Sequence, residues 1–142
     1  MNENGISGKG EAVLVSVPAN RELPELVEEH LDELAFLAET AGLKEAKRFV
    51  QNLPHPDSRT FVGKGKMEEI QKYLERHEEV NMVIFDDDLS GKQTNNLEEA
   101  LKVKIVDRST LILDIFANRA QTAVYLANLE DARQQHLRSP AP

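Results

Sequence analysis

Two short runs limit the fold of this chain more than any other feature: EAVLVSV at residues 11–17 and NMVIF at residues 81–85. Each is apolar at nearly every position rather than at alternate ones. A strand with one wet face alternates, whereas a strand covered on both faces reads as a continuous apolar run. Pro18 ends the first run, since proline cannot donate to a ladder. Other segments have a helical period. Across residues 23–41, Leu23, Val27, Leu31, Leu34, Ala38 and Ala41 recur at steps of three and four, with acids on the opposite face and Gly42 just past the end. KEAKRFVQ (44–51) reads as a weaker strand, followed by a loop with Pro54 and Pro56. In MEEIQKYLERH, Met67, Ile70, Leu74 and His77 share a face. The NMVIFDDD segment reads as a strand whose last residues are carboxylates. Ser90 can cap a helix carrying Leu97 and Leu101. KVKIVD is a fourth strand, and RSTLILDIFANRA is helical, with Leu111, Ile115 and Arg119 on one side.

The order β-α-β-α-β-α-β-α with short connections predicts an α/β fold: a small parallel β-sheet of about four strands with helices on both faces, followed by a short helical tail. A length of 142 residues suits one domain. The polar, Gly-rich residues 1–10 read as a flexible tail, 11–121 as the α/β domain, and 122–142 as a helical or disordered tail stopped by SPAP. With no cysteine, disulfides and thiolate metal sites are excluded. The first ten residues lack the apolar stretch of a secretory signal, and no run approaches the roughly 20 apolar residues that span a bilayer. The expectation is a cytoplasmic chain without a membrane partner.

A formal net charge of −8 argues against a nucleic-acid binder when taken whole. The charge is uneven, however. Residues 21–43 and 78–99 each set seven acids against one base, while residues 44–76 hold eight bases and five acids. Local potential decides what a surface attracts, so the middle segment is the one that could face a polyanion.

Within it lies GKGK, Gly63 to Lys66, at the mouth of a helix. Glycines let backbone N–H groups approach an anion, and the helix dipole and two lysines add positive potential. The motif is not a Walker A loop: Thr60 stands where its first glycine belongs, and Met67 where its Ser or Thr belongs. Asp86, Asp87 and Asp88 end a strand, where open α/β sheets place sites, and clustered carboxylates suit Mg²⁺. Ser109 and Thr110 follow the next strand, as in a phosphoacceptor domain. That chemistry also needs acids after the first strand, where Pro18, Ala19 and Asn20 stand. His30, His55, His77 and His136 are scattered, with neither an i,i+4 pair nor cysteine partners. Solvated helix faces and dipole complementation account for most of the charge runs.

Three stretches in order and spacing, RTFVGKGKMEEI, MVIFDDDLSGKQTNNLEEAL and VKIVDRSTLILDIFANRA, resemble the N-terminal domain of HflX-type GTPases over about residues 11–121. The resemblance implies a small parallel α/β unit joined through a helical hairpin to a G domain that hydrolyses GTP with Mg²⁺. It also implies that the intact protein binds the large ribosomal subunit and its rRNA and splits stalled ribosomes. After Thr122 the sequence departs from the family pattern, and it carries no GTPase motif, so no catalytic residue and no cofactor are expected in this chain. On this reading Arg59, Gly63, Lys64, Gly65, Lys66 and Arg119 are the candidate nucleic-acid-binding residues. The competing reading is a stand-alone α/β domain that binds a phosphate-bearing ligand or Mg²⁺ at Asp86–Asp88.

Overall fold

A computed structural model of the chain describes residues 10–19, 22–118 and 127–128. Four parallel strands, β1 (Gly10–Ser16), β2 (Leu43–Val50), β3 (Val80–Phe85) and β4 (Lys104–Asp107), form one sheet in the order β2-β1-β3-β4. Helices α1 (Pro24–Thr40), α2 (Lys64–Arg76) and α3 (Gly91–Leu101) make the crossovers, and a further helix, α4, covers residues 108–118. The expected α/β fold, with its small parallel sheet, is the one observed.

The pleat of β1 divides the core. Ala12 and Leu14 join Val27, Leu31, Leu34 and Ala38 of α1 and Leu111 and Ile115 of α4 in one apolar layer. Val13 and Val15 point the other way, into a layer with Met67 and Ile70 of α2 and Leu97 and Leu101 of α3. Thus α1 and α4 cover one face of the sheet, and α2 and α3 the other. Both faces are dry, which explains the unbroken apolar runs in the central strands β1 and β3. Leu14, Leu31, Leu34, Ile84 and Leu111 have no solvent exposure, and each contributes about 1.5–3 kcal/mol by burial.

Local signals act where the sequence placed them, with three adjustments. Gly42 closes α1 at φ 89°, a conformation that strains any residue with a Cβ. Ser90 caps α3 with a full capping box: Gln93 N–H donates to Ser90 Oγ at 3.1 Å, and Ser90 N–H to Gln93 Oε1 at 2.9 Å. Leu23, however, lies outside the core. It is the extended N-cap residue before Pro24 and is 64% exposed, so the buried stripe starts at Val27. His77 lies beyond α2, with φ −133°, because the helix ends at Arg76. The third strand stops at Phe85, and its acids occupy the turn beyond. Residues 1–9 and all of the expected 122–142 tail except 127–128 lie outside the described residues.

Candidate nucleic-acid interface

The loop before α2 is built around one carboxylate. Asp57 Oδ1 accepts from the N–H of Arg59 at 2.7 Å and of Thr60 at 3.0 Å, an Asx-type turn. These backbone donors hold the Asp57 carboxyl below its ordinary range, because they bind its ionised form. Asp57 and Phe61 also exchange both backbone hydrogen bonds, at 2.9 and 3.0 Å. Closing so tight a turn sends Phe61 to φ 68°, an uncommon conformation for an aromatic residue. Burial of its ring, edge-on to Phe85 at 5.8 Å, offsets the strain.

Helix α3 holds this loop from the side. Gln93 Nε2 donates to Asp57 O at 2.8 Å, and Asn96 Nδ2 to Arg59 O at 3.0 Å. The backbone of Arg59 is therefore fixed while the residue itself is exposed.

The GKGK segment is the first turn of α2 itself, with Gly63 as N-cap. Gly63 N–H donates to Gln51 Oε1 at 2.7 Å, and a Cβ on Gly63 would stand 3.0 Å from the same side chain. The amides of Lys64, Gly65 and Lys66 precede the first helical bond, Met67 N–H to Gly63 O at 2.9 Å. Apart from its chain neighbours and the helix's own backbone, nothing lies within 4 Å of a Cβ built on Gly65, so that side of the turn is open to approach.

Arg59 and Lys64 line one cleft of about 510 Å³ together with Asn96 and Glu99 of α3. Lys66 is less exposed than Lys64. Its ammonium pairs with Glu69 Oε1 at 3.3 Å, and its side chain is only 19% exposed. Arg48, also counted in the basic segment, is drawn to the other face of the sheet. Glu28 and Asp32 of α1 hold it at 2.9 and 2.8 Å, and Glu45 completes the cluster. Hydrogen bonding to Glu45, against some loss of hydration, keeps its pKa above the ordinary arginine value. Arg119 lies outside the described residues.

Two of the three aspartates at the carboxyl pole of the sheet, Asp86 and Asp88, are engaged by different side chains. Asp86, 10% exposed, is paired with Arg108 at 2.6 Å from Nη2 and 2.9 Å from Nε. Arg108 Nη2 also donates to His30 O at 2.9 Å, which ties the start of α4 to α1. Asp88 accepts from Ser109 Oγ. Burial raises the pKa of Asp86, with Arg108 opposing, and burial together with Glu22 and Asp88 raises that of Asp87. Both shifts record that the ionised forms are poorly accommodated. Burial also weighs against ionised Asp107, but the N–H of Leu89 at 2.9 Å and donors of Thr110 bring its pKa below the usual value. Among the described residues, no three His, Cys, Asp or Glu side chains are grouped to hold a metal ion.

A family model described as "GTP-binding GTPase N-terminal" matches residues 28–117, more than half of the chain. The chain belongs to this GTPase N-terminal family. The family's boundary encloses the clamped loop, the first turn of α2 and the Asp86–Arg108 pair. The GTPase HflX of Flavobacterium psychrophilum is 40% identical over 121 residues, covering 85% of this chain and 29% of that protein. The GTPase HflX of Escherichia coli is 36% identical over 109 residues, covering 77% of this chain and 25% of that protein. The chain thus spans under a third of the length of these curated relatives. A GTP-binding protein from Sulfolobus solfataricus, solved with GDP, superposes at a TM-score of 0.52 and 27% identity. That match covers 75% of this chain and 30% of the archaeal one. The expected resemblance to the HflX N-terminal domain is therefore shown. Among the described residues, no helix is long and apolar enough to cross a membrane.

Sequence reasoning missed Gln51, Gln93 and Asn96, the side chains that immobilise the GTPase N-terminal domain's basic loop. Ser90-x-x-Gln93 was legible as a capping box, and Asp57-x-Arg-Thr as an Asx turn. Nothing local signals that Gln93 also reaches Asp57, 36 residues away.

Proposed function

We propose that this chain is the RNA-docking N-terminal module of a GTP-binding protein of the HflX type, contacting large-subunit rRNA through its Arg59–Lys64 surface. The observation that carries this reading is the placement of exposed Arg59 and Lys64 on one cleft, on a loop whose backbone is already fixed. The backbone's ordering entropy is spent during folding, so phosphate contacts there lose only the rotamer freedom of the two side chains. Lys66 supports the surface through its pair with Glu69 rather than as an independent contact.

GTP binding and hydrolysis with Mg²⁺, and release of stalled ribosomes, belong in this reading to the longer protein. The residues present do not fit GTP with its metal: no phosphate-loop spacing exists in the sequence, and Asp86 and Asp88 are engaged by Arg108 and Ser109.

Co-sedimentation with large ribosomal subunits across a salt series tests the proposal. Two phosphate contacts give a log–log salt slope of about −1.5. The Arg59→Glu/Lys64→Glu variant should remove most binding at low salt, and Lys66→Ala should change it much less. Undiminished sedimentation of the double variant would refute docking through this surface.

A further inference from the structure

On the opposite flank of α2 lies a second basic surface with a different construction. The side chains of Tyr73 and His77 stack, with ring centroids 3.9 Å apart and planes at 15°. Phe49 of the edge strand β2 meets Tyr73 edge-on at 5.9 Å. Lys47 Nζ sits over both aromatic rings, 5.5 Å from Phe49 and 5.9 Å from Tyr73. Lys47, Lys72 and Arg76 are exposed and line a cleft of about 300 Å³ around this stack. Glu69 on the rim is held by Lys66, and so its charge is partly answered from outside the cleft. Glu11 and Glu79 lie near enough to join burial in raising the Tyr73 pKa, which keeps the phenol neutral.

The imidazole is oriented as well as stacked. His77 Nδ1 stands 2.8 Å from the carbonyl oxygen of Tyr73, which can only accept. Nδ1 therefore carries a proton, and in the neutral ring Nε2 is left as an acceptor. A half-buried aromatic pair ringed by three cations meets both needs of an unpaired nucleotide strand, a flat surface for a base and positive charge for the phosphates on either side. A duplex hides its base faces and could use only the charge.

We propose that the Lys47–Lys72–Arg76 cleft is a binding site for single-stranded RNA, in which a base stacks on the Tyr73–His77 pair. It is distinct from the Arg59–Lys64 surface and extends the docking proposal to a second, unpaired RNA element. The site uses no part of the clamped loop, so the two readings stand or fall separately.

The test is fluorescence anisotropy of the full chain with labelled decauridine, with inorganic polyphosphate of matched charge as competitor. Three neutralised phosphates on a single strand give a salt slope of about −2. Lys47→Ala/Lys72→Ala should reduce it to about −0.7, with both positions exposed enough to leave folding intact. His77→Ala should weaken decauridine binding about tenfold, the lower part of the range for loss of a stacked base, while leaving polyphosphate binding unchanged. Adding His77→Ala to Arg59→Glu/Lys64→Glu should weaken decauridine binding by the same factor as in the parent, because the stacked base does not depend on the clamped loop. Polyphosphate competing as well as decauridine, or a His77→Ala change that leaves decauridine affinity unchanged in either background, would each overturn the site.

Discussion

Replacing Arg108 with Met should destabilise the domain in a way that depends on pH. Arg108 joins three elements: it pairs with Asp86 after β3 at 2.6 Å, donates to His30 O in α1 at 2.9 Å, and begins α4. Methionine keeps much of the aliphatic volume and removes the guanidinium. Breaking a fully buried ion pair costs about 3–5 kcal/mol. Here Asp86 is 10% and Arg108 25% exposed, so the lower end, about 3 kcal/mol at pH 7, is expected. With a urea dependence of about 1.5–2 kcal/mol per molar, the midpoint should fall by about 1.5–2 M. Burial already holds the folded pKa of Asp86 above its ordinary value, even with Arg108 opposing. A carboxyl raised in the folded state costs stability as pH rises through that folded pKa, and costs nothing below the unfolded value of about 3.9. Removing Arg108 raises it further. The deficit of Arg108→Met relative to the parent should therefore shrink as pH is lowered from 7 toward 4. Asp87, whose pKa Arg108 also lowers, shifts in the same sense, while carboxyls away from Arg108 titrate in both proteins and cancel. Adding Asp86→Asn should recover most of the loss at pH 7. A pH-independent deficit, or a double variant no better than Arg108→Met, would refute the account of Asp86 as a charge that needs its partner.

Asp107→Ala removes the acceptor for Leu89 and Thr110 N–H and should cost about 1–2 kcal/mol, measured by urea unfolding at pH 7. Because Asp57 and Asp107 have depressed folded pKa values, their contributions are present above the unfolded value of about 3.9 and are lost as pH falls through the folded values. Asp57→Asn/Asp107→Asn should accordingly show a shallower acid branch in a stability profile. Gly42→Ala, at φ 89°, should lower stability by about 1 kcal/mol, read as a drop in thermal midpoint. Purified chain should turn over no GTP above a buffer blank, because the groups that position phosphates in known GTPases are missing from its sequence.

The sheet was legible because its central strands are apolar on both faces, a pattern few other environments produce. Helix α1 was legible through Val27, Leu31, Leu34 and Ala38, and α3 through Ser90 with Leu97 and Leu101. Charge was less legible. Arg48 counts as a base in the middle segment, yet Glu28 and Asp32, from a different element, take it up. Lys66 looks like the twin of Lys64 until the helix brings Glu69 beside it. The left-handed Phe61 could not be foreseen, since an aromatic residue tolerates that conformation only where burial offsets it. The Tyr73–His77 stack was missed because the period assigned His77 to the apolar face of Met67, Ile70 and Leu74, whereas its ring lies on Tyr73 just past the helix end at Arg76.

Helix α4 follows β4 directly and packs Leu111 and Ile115 against the same sheet layer as α1. A helix leaving the carboxyl end of a parallel strand and lying back on the sheet runs toward the strands' amino ends. Its 11 residues carry the chain about 16 Å in that direction. Residue 118 therefore stands at the pole of the domain opposite the loop that bears Arg59. Any influence of the clamped loop on residue 118 has to pass through the two apolar layers packed between them.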